Sequence, residues 1–179
     1  MSIFFGVQAA CTVSSQDRAV LATCVATLRA SSDLMALRAA WTRAADLLRN
    51  QAGTIVLGTW DLIRDKADST YEEWAAGLEA MADWPQADFG DGDLLLITVI
   101  ALITEGSTAD KNLGEICDLP ESDWHMRSTY RRLLTAMPKL AMGDIRGSAL
   151  YVAPRPDQVG FSRGVLTGDG FEYLQQITR

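Results

Sequence analysis

At 179 residues, with 48% hydrophobic and 22% charged content, the chain has the size and composition of one compact domain with a single sizeable core. Its formal net charge of −7 opposes sequence-independent binding to nucleic acid or to an anionic membrane surface, since both depend on Lys and Arg neutralising phosphate. The charge is uneven: residues 1–60 carry +2, residues 61–123 carry −13 and residues 124–179 carry +4, so the middle third holds the acidity.

Cys11, Cys24 and Cys117 are odd in number, form no CxxC pair and sit among apolar neighbours. They read as reduced core thiols of a cytoplasmic protein. The opening MSIFFGVQAACTV lacks the positive start of a signal peptide, and Gln8 stands where a lipoprotein-type cysteine wants an aliphatic residue. Export and membrane insertion are therefore not expected.

From Ile3 to Val13 apolar residues alternate, with Ile3, Phe5, Val7, Ala9, Cys11 and Val13 on one side, which predicts a strand with one strongly buried face. Ser14 and Ser15 then cap a helix over about 16–30, with Leu21, Cys24, Val25 and Leu28 as its stripe. Asp33 opens a second helix marked by Leu34, Leu37, Trp41 and Leu48 and closed at Asn50 to Gly53. Thr54 to Ile63 predicts a second strand, bulged at Gly58.

Ser69 with Glu72 forms a capping box for a third helix, carrying Tyr71, Trp74, Leu78 and Met81 and stopping at Trp84-Pro85. A turn over 86–93 leads into Leu94 to Ile103, LLLITVIALI, which only Thr98 interrupts. Ten residues rising about 3.3 Å each cross a small domain as a strand, whereas a membrane helix needs about 20, so this run predicts a central strand buried on both faces. After a connection at 105–112, Asp118, Pro120 and Glu121 signal a fourth helix buried through Met126, Tyr130, Leu133 and Met137. Ser148 to Ala153 predicts a fourth strand ended by Pro154 and Pro156, residues 154–168 a Gly- and Pro-rich loop, and Asp169 the cap of a final helix around Phe171, Leu174 and Ile177.

The order is β-α-α-β-α-β-α-β-α in one domain spanning 1–179. It predicts an α/β (α+β) layered sandwich: about four strands in a mixed sheet, with about five helices packed on one face.

Signals for chemistry are sparse. His125 is the sole histidine, which rules out multi-histidine metal sites, and it shares a turn region with Asp123 and Cys117. A thiol and base pair needs those groups adjacent; a helix-surface histidine is the plainer reading. Asp88, Asp91 and Asp93 lack the register and the closing Glu of a calcium loop and read as a solvated turn. Gly160, Gly164, Gly168 and Gly170 flank a helix start where backbone N–H groups, helped by Arg155 or Arg163, would hold an anion; the plainer reading is a flexible loop. Arg127, Arg131, Arg132 and Lys139 make a basic helical flank, and Trp41 and Trp74 fall on buried stripes. No metal, cofactor or catalytic residue is assigned.

The LLRN element at 47–50, the strand LLLITVIALITEG at 94–106, the LPESDW segment and the late strand ALYVAPRPD resemble a family of uncharacterised cyanobacterial and plastid proteins over residues 33–179. The chain has Val152, Ala153 and Pro154 where that family has a Trp-Thr-Pro-like turn, and lacks its membrane segment and Gly-rich region. The resemblance implies a fold and no catalytic residue.

The leading expectation is a non-catalytic protein acting through protein contacts, as an adaptor or a homodimer, without nucleic acid or membrane. The alternative is a small-molecule or anion-binding protein, or an enzyme on a phosphorylated metabolite, that uses Arg155, Arg163, Gly164, Gly168 and His125.

Overall fold

The computed structural model describes every residue except Asp83, Ala141, Pro156 and Arg179, and the side chains of all others but Ala82 and Met142. One open sheet holds β1 (Ser2–Thr12), β2 (Ile55–Ile63), β3 (Leu94–Thr104), β4 (Ile145–Ala153) and β5 (Gln175–Gln176). The strands run in the order β4-β3-β1-β2-β5, and every pairing is antiparallel. The apolar run at 94–103 is buried throughout and lies between two strands, as its composition predicts. The middle of the order is nevertheless β1, and residues 2–11 are all buried, so both of its faces are covered.

The odd-numbered side chains of β1 and β3, from Phe5 to Cys11 and from Leu95 to Ile103, enter one continuous core beneath four helices. These are α1 (Ser15–Ala30), α2 (Leu34–Gln51), α5 (Thr108–Cys117) and α6 (Arg127–Ala136). Side-chain caps start the first three: Ser14 Oγ accepts from Asp17 N at 3.1 Å, Asp33 Oδ1 from Met35 N at 3.0 Å and Ser107 Oγ from Asp110 N at 3.2 Å. The opposite face carries α3 (Ala67–Ala82), the single turns α4 (Gln86–Phe89) and α7 (Arg163–Leu166), and the C-terminal segment. Helices therefore flank both faces of a wholly antiparallel, five-stranded sheet, which corrects the one-sided, four-stranded mixed sandwich.

Other corrections have local causes. The expected connection at 105–112 largely belongs to α5, because Ser107 caps a helix there; the signals at Asp118 and Glu121 start only a 3₁₀ turn over Glu121–Asp123. Ser69 lies inside α3 and donates to the Lys66 carbonyl, so it is no cap; the helix starts beyond Lys66, whose φ is +60°. The final helix is replaced by a turn at Gly170, φ +88°, and by β5, with Ile177 N donating to Val56 O at 3.0 Å. The irregularity of β2 falls at Val56 rather than at Gly58. Gly58 serves a close approach instead: a Cβ there would lie 2.6 Å from the Tyr130 ring. Pro156, read as ending the fourth strand, lies outside the described residues.

Candidate functional site

The face of the sheet under α3 is not uniformly apolar. Its hydrophobic side chains split into two clusters, one around Phe4, Ile100 and Leu102, the other around Ala10, Leu57 and Leu96. Between them the register places Thr59, Gln8, Thr98 and Tyr151 side by side across β2, β1, β3 and β4. Gln8 is 3% exposed and Thr98 fully buried, and Gln8 Nε2 donates to Thr98 Oγ1 at 2.7 Å. Burying such groups costs free energy unless they bond each other, as these do. The result is a fixed polar row where packing alone would favour aliphatic side chains.

Over the β1–β2 side of this row lies a cavity of about 450 Å³, bounded by the sheet, by α3 with the residues just after it, and by the C-terminal segment. That volume falls within the range of small-molecule sites. The floor is Gln8, Thr59 and Asp61. The helix side is the i, i+3, i+4, i+7 stripe Trp74, Gly77, Leu78 and Met81, with Glu73 beside it. Gly170, Phe171 and Tyr173 close the third side, and Trp84 joins them edge-on to Phe171 with ring centroids 5.9 Å apart.

Two glycines shape the walls. At Gly6 a Cβ would come within 2.7 Å of the Phe4 ring and 3.0 Å of Trp74, so its absence lets Trp74 settle on Phe4, centroids 5.2 Å apart. Gly77 is the reverse: it sits inside α3, and a Cβ there would meet no heavy atom within 4 Å. Glycine in a helix interior costs about 0.5–1 kcal/mol relative to alanine. No neighbour demands the small residue, which is exposed on α3 where the helix borders the cavity.

Charge in this lining is of one sign. Asp61 and the exposed Glu73 contribute the acidic groups, and among the described residues no Lys, Arg or His lines the cavity. Burial holds the Asp61 carboxyl above the usual carboxylate range, and its side chain makes no hydrogen bond or ion pair among the described residues. Burial also raises the Tyr173 phenol, which keeps it neutral near pH 7. The chemistry offered is a floor of the hydrogen-bonding Gln8 and Thr59 beside the acid Asp61, and aromatic walls.

The residues singled out in the sequence lie elsewhere. Arg155, Arg163 and Gly164 are exposed, Gly168 is half-buried, and none of the four lines the cavity. α7, which carries Arg163 and Gly164, is one turn long, with Ser162 Oγ accepting from Val165 N. His125 occupies a turn before α6, where its carbonyl accepts from Thr178 N at 2.9 Å; its imidazole makes no hydrogen bond to Cys117 among the described residues. Burial pushes the Cys117 thiol up to about 12, which leaves it protonated at neutral pH. Asp88, Asp91 and Asp93 are all exposed.

Sequence reasoning missed Gln8, Asp61 and Gly77. The available signal was polarity out of place: Gln8 in an apolar strand, Thr98 as the single break in LLLITVIALI, and a glycine inside a helix. Compared with protein-family models, with curated proteins and with solved structures, the chain matches none.

Proposed function

We propose that this chain binds a small organic molecule in the cavity between α3 and the sheet. The observation that carries the reading is the lining itself: the buried, hydrogen-bonded Gln8 and its neighbour Thr59 under Trp74, Trp84 and Phe171, with the exposed helix residue Gly77 at the border of the same space. A ligand there would meet Gln8 and Thr59 with its polar atoms and Trp74 and Phe171 with its apolar body. The late loop with Arg155 and Arg163 then serves the fold around the site rather than the ligand.

Saturation-transfer NMR with indole as a neutral aromatic probe tests the site. Wild type and Gly77→Ala should both give a saturable signal, because one methyl group still fits, whereas Gly77→Leu should abolish it by filling the space. Equal signals from all three, or none from any, contradict the reading.

The free edge of β4 favours a second reading, self-association with another copy of this chain. Among the described residues β4 pairs only with β3, and from Gly147 to Ala153 it carries neither charge nor proline, the usual protections of an edge strand. An antiparallel pairing of β4 with its own copy satisfies a two-fold axis. Light scattering in solution should give twice 19.5 kDa; a mass of one chain at high concentration contradicts it.

A further inference from the structure

We infer that the occupant of this cavity is an organic cation, an ammonium group carried on a compact apolar body. The inference rests on the proposed binding site and specifies its ligand. Its first ground is charge: Asp61 and Glu73 are the acidic side chains of the lining, and among the described residues no cationic side chain shares the cavity with them. An anionic ligand would be repelled by both acids. A neutral ligand would bring the Asp61 carboxyl no opposite charge to pair with.

The second ground is independent of the acids. Four aromatic rings, Trp74, Trp84, Phe171 and Tyr173, border the same space. Aromatic π faces carry the negative part of the ring quadrupole and attract a cation, most strongly once it is desolvated. Two acids, aromatic walls and the hydrogen-bonding Gln8 and Thr59 together match a soft, weakly hydrated organic cation. The net charge of −7 also favours the approach of a cation over that of an anion.

Three probes of similar size separate the possibilities: phenyltrimethylammonium, its neutral isostere tert-butylbenzene, and benzoate. Calorimetric titration should show the cation binding at least about tenfold more tightly than tert-butylbenzene, with benzoate not bound. Asp61→Asn, which keeps the side-chain shape, should weaken the cation about tenfold and leave tert-butylbenzene unchanged, while Gly77→Leu should abolish both. Tert-butylbenzene or benzoate binding as tightly as the cation would overturn this inference and leave the cavity as a ligand site. No binding by any probe, or binding that ignores Gly77→Leu, would overturn both. Benzylamine as a fourth ligand distinguishes a hydrogen-bonding ammonium from a quaternary one: stronger binding than phenyltrimethylammonium assigns Asp61 an N–H partner.

Discussion

Asp61 and Asp110 are carboxylates pushed in opposite directions, and the difference should be measurable one residue at a time. Burial raises the folded pKa of Asp61, so the folded state holds its proton at a higher pH than the unfolded chain does. The group favours folding below the unfolded value of about 3.9 and loses that contribution as pH rises through the folded value, so at pH 7 it is a liability. Asp110 is the converse: the Arg64 guanidinium, 2.8 Å away, and the Gly106 N–H hold its carboxyl below the usual range. Its contribution is present above the unfolded value and is lost as pH falls through the folded one. Thermal unfolding at pH 7 should therefore show Asp61→Asn raising Tm and Asp110→Asn lowering stability by about 1–2 kcal/mol, a figure reduced because Arg64 is half-exposed. Both differences should shrink toward pH 3. Shifts of the same sign at pH 7 would contradict these assignments.

At the scale of single elements, α3 combines fold and function. Its Leu78 is buried in the core, while Gly77 next to it weakens the helix over the cavity. Gly77→Ala should raise stability by about 0.5–1 kcal/mol in denaturant unfolding, without closing the site. A loss of stability would mean that glycine is needed there for backbone or packing reasons. Elements also show where the sequence was legible. β1, β3, α1 and α2 follow from apolar periodicity and from Ser14 and Asp33 as caps, because their signals are local and unopposed. The final helix is absent because Phe171, Leu174 and Ile177 keep helical spacing by coincidence. Phe171 and Leu174 are buried on the α3 face and Ile177 in the core under the four helices, with the chain pairing to β2 after the turn at Gly170, which is tertiary information. α5 was hidden by glycine and aspartate that suit loops, although Ser107 with Asp110 marked its start.

At the scale of the whole molecule, the sheet divides the chain into a face built for stability and a face that includes a site. One side holds a single unbroken core under four helices; the other holds two clusters with the Gln8–Thr98 row between them. The sequence shows that the middle third is acidic, but that Asp61 and Glu73 reach one cavity depends on β2 and α3 meeting, which no local pattern encodes. No helix among the described residues is long and apolar enough to cross a membrane.

The five tryptophans report directly on the cavity, since only Trp74 and Trp84 line it, whereas Trp41 is buried on the core face of α2 and Trp60 and Trp124 pack together elsewhere. The measurement is ¹⁹F NMR of the 5-fluorotryptophan-labelled protein during titration with phenyltrimethylammonium and, separately, tert-butylbenzene. The resonances of Trp74 and Trp84 should move with saturation while the other three stay fixed. Movement confined to Trp60 and Trp124, or no movement with either compound, would contradict the proposed site.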